Sequence, residues 1–367
     1  MIDFLTLKPE TFGLDISDLS VKIVKLKKRR GKLSLASFSE TKIKPGIVEK
    51  GEIKNERDLA EVIKKAVSKV KGETLRTRYV VASLPEEKAF LQVIQMPIMK
   101  EKELKSAVPF EAENYVPLSI EEVYLDSQIV KPFFNSLDHT DVLITAMPRK
   151  TIDPYVSSIK MAGLIPQVLE IEPQAIARAL IKDQISPHPV LLIDFGATKT
   201  SFIIFSGFSL RFTSSISISS HQITEAIARK LNIDLEAAEK IKKRQGMEKG
   251  EKEFSESLLP ILNNLTEEIK KYIAFYHSHA SHEHLTPDNK AQKVQKIIIC
   301  GGGANLKGLV DFLSLRLRIP IELGNPWINI LSPSLKKLPS LSYEKSLAFT
   351  TALGLALRGI SKNKSSS

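Results

Sequence analysis

The chain has 367 residues, 43% apolar and 26% charged, a globular composition with length for two or three domains. No apolar run reaches the roughly 18 to 20 residues of a membrane span, and Met1 to Pro9 lacks the basic and apolar regions of a signal peptide, so neither is expected. One cysteine, Cys300, excludes an internal disulfide. The net charge of +11 is spread along the chain without an aromatic-interleaved basic stripe, so no nucleic-acid partner is expected.

Phe12 to Leu26 alternates apolar and polar residues as a strand pair does, and Lys32 to Ile43 alternates again. The basic run between them, Lys25-Leu-Lys-Lys-Arg-Arg-Gly-Lys32, reads as a hairpin tip, the alternative being a contact with an anionic membrane or nucleic acid. Asp58 to Val70 has the apolar spacing of one helix face. Tyr79 to Leu84 is a short buried strand. Ala89 to Gln95 reads as a strand stopping before Pro97. Lys100 to Tyr115 has helical spacing, with Pro109 expected to kink or split it. Val123 to Val130 and Asp141 to Ala146 are strands, and Thr151 to Ala162 is a helix stopped by Gly163. Strand, helix, two strands and helix suggest a small inserted subdomain. Val190 to Ile218 reads as three strands. Gln222 to Arg244 and Leu258 to His279 are long helical stretches, and Ser281 to Gln295 is a polar loop. Lys296 to Cys300 is a buried strand. Helices follow over Leu306 to Leu317 and Tyr343 to Arg358.

The informative feature is an internal repeat. Phe12-Gly-Leu-Asp15-Ile-Ser17-Asp-Leu-Ser20-Val-Lys-Ile-Val returns as Leu192-Ile-Asp194-Phe-Gly196-Ala-Thr198-Lys-Thr200-Ser-Phe-Ile-Ile. Each copy is an apolar strand ending in Asp, a tight turn with hydroxyls, and a second strand. Two related halves facing each other across a cleft follow. Backbone N–H groups of such turns can hold phosphate oxygens, a small residue lets phosphate approach, and hydroxyls add donors. Asp15 and Asp194 could hold a hydrated Mg²⁺, which takes few carboxylates and keeps its waters. Either turn alone also reads as a plain hairpin. A third segment, Ile297-Ile-Ile-Cys-Gly301-Gly302-Gly303-Ala-Asn305, runs from a buried strand into three glycines, on which a ligand ring could lie, and then into a helix. Alone it also reads as a flexible turn.

These three segments look like phosphate 1, phosphate 2 and the adenosine motif of the actin, heat-shock chaperone and sugar-kinase superfamily. The chain resembles its FtsA/PilM branch, and the PilM family of type IV pilus assembly within it. Lys102-Glu-Leu-Lys-Ser-Ala-Val-Pro-Phe-Glu-Ala-Glu-Asn-Tyr-Val-Pro117 carries that likeness most strongly. Ile120 to Asp126, Ala162-Gly-Leu-Ile-Pro166, Glu172-Pro-Gln-Ala and Ala352-Leu-Gly-Leu-Ala-Leu357 add to it. The resemblance implies an α/β, actin-like (ribonuclease H-like) two-domain ATPase fold with an FtsA-type 1C inserted subdomain. A first domain then spans 1–84 and 167–189, the insertion 85–166, a second domain 190–220 and 295–358, and a helical subdomain 221–294. A disordered tail is expected over 359–367.

The resemblance implies ATP and Mg²⁺ as ligands. Asp15, Ser17, Ser20, Asp194, Gly196, Thr198, Lys199, Thr200, Gly301, Gly302, Gly303 and Asn305 face them, and Glu239 and Lys242 contact the ribose. These last two also read as a surface ion pair, since they lie at i and i+3 on one helix face. Relatives carry Gly-Ser or Gly-Thr where this chain has Ser17-Asp18, so Asp18 is expected to place a negative charge beside the phosphate, and hydrolysis stays open. The resemblance further implies a cytoplasmic scaffold, recruited to the membrane by the tail of an inner-membrane pilus protein (PilN-like), with pilus motor ATPases and self-association as further contacts. That tail is expected in a groove between the first domain and the insertion, on Phe90, Val93, Phe110 and Tyr115. The alternatives are an FtsA-like cell-division filament protein, disfavoured by a C-terminus without an apolar face, and a sugar or small-molecule kinase. His277, His279, His282 and His284 have spacing for a metal but read as a polar helix end and loop. Cys300 reads as a core residue.

Overall fold

The computed structural model describes residues 9–131, 138–247, 252–279, 293–331 and 340–360. The expected loop over Ser281 to Gln295 falls mostly outside these, as do His282, His284 and the tail from 361. In chain order the first half begins β1 (Thr11–Ile16), β2 (Ser20–Arg29), β3 (Lys32–Lys42), β4 (Val48–Glu49), β5 (Glu52–Ile53), α1 (Glu56–Ser68), β6 (Lys71–Gly72) and β7 (Tyr79–Leu84). Then come β8 (Phe90–Pro97), α2 (Glu101–Ala112), β9 (Val123–Ile129), β10 (His139–Pro148), α3 (Arg149–Met161), β11 (Ile165–Ile171) and α4 (Glu172–Leu180). The second half has β12 (Ser186–Phe195), β13 (Thr200–Gly207), β14 (Ser209–Ile216), α5 (Ser220–Leu231), α6 (Leu235–Gln245) and α7 (Lys252–His279). It closes with β15 (Lys296–Cys300), α8 (Leu309–Leu317), β16 (Ile321–Leu323), α9 (Tyr343–Leu347) and α10 (Thr350–Ile360).

Two mixed sheets share one topology. The first has strand order β11-β7-β1-β2-β3-β6 and the second β14-β13-β12-β15-β16. In each, the strand ending in Asp pairs antiparallel with the next strand and parallel with a later one, β1 with β7 and β12 with β15. The basic run is the β2–β3 hairpin, whose tip Arg30-Gly31 has positive φ at both residues, the turn that suits strand twist.

One face of the first sheet packs Phe12, Leu14 and Ile23 on Leu59 and Ile63 of α1 and on Tyr155 and Ile159 of α3. The other face takes α10, so closely that a Cβ at Gly13 would lie 2.4 Å from the Ala352 carbonyl oxygen. Only a residue without a side chain admits that approach. The second sheet packs on α5 and α7 through Leu191, Phe202, Ile223, Leu262 and Ile269. Its opposite face receives Ile176 and Leu180 of α4. Thus α4, from the first half, lies on the second sheet, and α10, from the end of the chain, lies on the first. The two helices also pack on each other, with Gly354 against Ala175.

The insertion has a core of its own. Its sheet, β8-β10-β9, packs Ile94, Met96, Val142 and Ile144 against Leu104, Val108 and Ala112 of α2. α3 sits elsewhere, in the core of the first sheet, with the Tyr155 hydroxyl donating to the Gly51 carbonyl at 3.1 Å. Pro109 does not split α2, which runs on to Ala112. β8 includes Pro97, which an edge strand tolerates.

The stretch 222–244 is two helices. Asn232 turns left-handed at the end of α5, and the Asp234 carboxylate accepts from Ala237 N to start α6. Gly308, at φ +81°, delays α8 to Leu309, and the last helical stretch divides into α9 and α10. α10 extends to Ile360, so Gly359 and Ile360 are helical rather than tail.

Candidate phosphate-binding cleft

The repeat becomes two turns closed in the same way. Ser17 N donates to Ser20 O at 3.0 Å, and Gly196 N donates to Lys199 O at 2.9 Å. In each half the strand-end Asp sits at the same register, opposite Lys22 in the first and Ser201 in the second. Each Asp also receives a donor from the parallel neighbour strand. Ser83 Oγ donates to Asp15 Oδ1 at 3.1 Å, and the Cys300 thiol hydrogen-bonds Asp194. Cys300 is a core residue, as expected, and burial pushes its pKa well up, but this second contact left no mark in the sequence.

The charge of Asp15, in the first half, is felt at Asp194 in the second. Asp194 is pushed up to about 6, by burial first and then by the charge of Asp15. Lys22 stands 3.7 Å from Asp15, whereas Asp194 feels Lys199 and Lys22 only as more distant charges. The cation of the second turn, Lys199, instead reaches across to the first half. Its Nζ donates to Glu87 and, at 2.8 Å, to Glu172 at the start of α4. Burial works against the charge of Lys199, but the two carboxylates outweigh it and raise its pKa. Glu172 is pushed up to about 7, by burial foremost, with Lys199 opposing and Glu87 and Asp15 adding to the rise. Glu172 stood in a segment that marked the family likeness. Glu87, Ser83 and Lys22 carried no signal, because only the fold brings β7, the β2 ladder and α4 to the same place.

Asp18 does not face the cleft as expected. Its carboxylate accepts from Gly51 N at 3.0 Å and Lys50 N at 3.3 Å, in the β4–β5 hairpin. Ser17 and Ser20 bond each other within the turn. Thr198 and Lys199 lie in the second turn, half-buried. Thr200 is fully buried, and its hydroxyl donates to Ile218 O at 2.6 Å.

The three glycines divide. A Cβ at Gly301 would strike the Phe195 backbone, and Gly301 has φ +87°. One at Gly303 would strike the Phe195 ring and carbonyl. At Gly302 the nearest atom would be the Ala348 methyl at 3.8 Å, so this is the glycine with an open face. Asn305 Nδ2 donates to Glu344 O at 2.9 Å. Lys242 is buried, its ammonium donating to Ser220 O, Ser220 Oγ and Thr224 Oγ1 and paired with Glu239, and burial lowers its pKa. The pair is therefore no surface bridge. It braces the start of α5, where Ser220 N and His221 N donate to Gly196 O and Ala197 O of the second turn.

As oxygen donors, Asp15 and Asp194 suit a hard divalent cation that keeps most of its waters, and its charge would offset the effect of Asp15 on Asp194. The open face at Gly302 suits a planar ring. Elsewhere, His277 Nε2 accepts from Val294 N and His279 stacks on Phe275, and among the described residues no metal-binding cluster forms.

Two grooves flank the insertion. One, about 540 Å³, lies between it and the first half, lined by Tyr124, Leu125, Met147, Val156, Leu169 and Gln174 among others. The expected partner residues are not there. Phe90, Val93 and Tyr115 line a separate groove toward the second half, because β8 and β9 are opposite edges of their sheet. Phe110 is 75% exposed and lines neither.

A family model described as type IV pilus assembly protein PilM matches residues 13–360. The fold is similar to a chain of a "PilM-PilN type IV pilus biogenesis complex", with a TM-score of 0.78 and 28% identity over 97% of this chain and 100% of that one. It is also similar to the ethanolamine utilization protein EutJ from Carboxydothermus hydrogenoformans, with a TM-score of 0.55 and 14% identity over 97% and 93%. MreB5 of Spiroplasma citri bound to ADP gives a TM-score of 0.53 and 13% identity over 94% of each chain. These last two likenesses speak for the actin-like fold alone.

Proposed function

This chain belongs to the type IV pilus assembly protein PilM family, and from that premise we propose how its two halves and its insertion work together. It is an actin-like scaffold of pilus assembly. It binds Mg-ATP between the halves and docks the cytoplasmic tail of a PilN-like inner-membrane protein beside the insertion. The observation that carries the nucleotide reading is the pair of register-equivalent carboxylates, Asp15 and Asp194, with the charge of the first felt at the second. Backbone amides of the turns at 17–20 and 196–199 receive phosphate oxygens. Asp15 and Asp194 hold hydrated Mg²⁺, which when bound offsets the phosphate charge. Gly302 gives the adenine ring its seat. Lys199 is positioned to leave Glu172 for phosphate, and Glu172 is then free to order water. Calorimetry tests this reading: Asp194→Ala should weaken Mg-ATP binding about tenfold or more, and unchanged affinity would remove the site assignment.

The tail lies in the groove of about 540 Å³ between the first half and the insertion. That groove offers apolar Leu125, Met147, Val156 and Leu169 with a polar rim of Asp126 and Lys160, a combination that suits an extended peptide with apolar anchors. Val156→Asp should weaken binding of the synthetic tail peptide about tenfold or more while Mg-ATP binding persists. No helix among the described residues is long and apolar enough to cross a membrane. From its family we place the protein in the cytoplasm, held at the membrane by its partner.

A further inference from the structure

The second groove, about 510 Å³, is not used by this function. It lies between the insertion and the second half, bounded by β8, β14 and the end of α7. All six consecutive residues from Phe90 to Gln95 line it. Side chains alternate between the faces of a strand, so six successive lining residues mean that the hydrogen-bonding edge of β8 meets the groove. That edge has no strand neighbour among the described residues, since β8 pairs only with β10. An edge of free N–H and C=O groups is a template for one more strand.

The walls add two features. Phe212 stacks on Phe275 with centroids 5.0 Å apart, and Phe275 on His279 at 4.0 Å, while Phe275 stays 45% exposed. A large aromatic left open beside apolar Val93 and Tyr115 is a seat for an apolar side chain. The other feature is Asp141, only 4% exposed, whose Oδ1 makes no hydrogen bond. His139 Nε2 stands 3.3 Å from Oδ1, and Arg211 Nη1 is 3.9 Å from Oδ2. The Arg211 guanidinium offsets the charge from the other oxygen and leaves the Oδ1 lone pair to an arriving N–H.

We propose that this groove is a second docking site for an extended segment of a partner protein, distinct from the site for the membrane tail. The segment adds a strand of about six residues to the free edge of β8. It seats an apolar side chain on Phe212 and Phe275 and directs an N–H-donating side chain to Asp141 Oδ1. A helix does not fit, because its backbone groups are already bonded to each other and cannot complete a strand edge.

The test is a displayed random-peptide library selected on the full chain, with the selected peptides then synthesised and titrated by fluorescence anisotropy. Peptides pairing an apolar residue with lysine, arginine, asparagine or glutamine should be enriched. Their affinity should fall about tenfold in Phe275→Ala and in Asp141→Asn. Excess PilN-like tail peptide should leave them bound. If Asp141→Asn fails to fold, Phe275→Ala decides alone, since that side chain is exposed. No enrichment, equal binding to both variants, or displacement by the tail peptide would overturn the proposal. So would concentration-dependent self-association of the free protein that Phe275→Ala abolishes, which would give the groove to a second copy.

Discussion

The two phosphate turns have one backbone and opposite charge arrangements. Both close with the same hydrogen bond, both follow an Asp at the same register, and both Asp residues take a donor from the neighbouring parallel strand. The first half keeps its cation at home, with Lys22 beside Asp15, and turns the charge of Asp18 away onto two amides. The second half sends its cation, Lys199, across the cleft to Glu87 and Glu172. Duplicated topology thus sets where the groups stand, and a few side chains decide which half holds the charge that ties the cleft together.

The glycines give the largest expected difference. Where the second half runs Cys300-Gly-Gly-Gly303, the first runs Ser83-Leu-Pro-Glu86. Gly303→Val would drive its side chain into the Phe195 ring and carbonyl and should cost about 3 kcal/mol or prevent folding. Gly302→Ala, in open space, should stay within about 0.5 kcal/mol of wild type. Equal losses in denaturant unfolding would erase the distinction between packed and ligand-facing glycine.

Next is the cross-cleft tie. Lys199→Met leaves Glu87 and Glu172 without their cation and should cost about 2 kcal/mol, less than a fully buried pair because solvent reaches Lys199. The pH dependence has a fixed sign. Glu172 is raised to about 7 in the folded chain, so it binds its proton more tightly folded than unfolded. Its contribution is favourable at low pH and lost as pH rises through about 7. The deficit of the variant should therefore be larger at pH 8 than at pH 5, measured by urea unfolding at both. A deficit independent of pH would place the energetic role of Lys199 elsewhere.

Asp194 sharpens the comparison through binding. With its pKa near 6 it loses charge on acidification, and Mg-ATP affinity should fall about tenfold between pH 7 and pH 5. Asp194→Asn should bind weakly and flatten that profile. If calorimetry shows the same slope in the variant, another group controls it.

The smallest effect belongs to the first turn. Because Asp18 is held by Lys50 and Gly51 amides, Ser17→Gly with Asp18→Ser should change Mg-ATP affinity less than about twofold and cost about 1 kcal/mol of stability. A marked tightening would mean that Asp18 swings inward when phosphate arrives.

The order of the elements was legible because apolar periodicity reports burial directly. Tyr79–Leu84 and Lys296–Cys300 are strands with the bounds that their apolar runs suggest. The break at Asn232-Ile-Asp234 was legible in principle, as a left-handed stop and an N-cap, but continuous helical spacing masked it. Local pattern placed α3 in the insertion, whereas Tyr155 and Ile159 complete the core of the first sheet.

The sequence by itself determined the duplication, the strand-end carboxylates and the glycine segment, because each is a local pattern of a few residues with its own backbone requirement. It could not determine where side chains go when the chain folds back. Asp18 turns to a hairpin more than thirty residues on, Lys199 meets Glu87 more than a hundred residues earlier, and Phe90 and Val93 line the groove toward the second half rather than the first. Those partners are set by crossing helices and sheet edges, and only the tertiary structure brings them within the few ångströms over which hydrogen bonds and buried charges act.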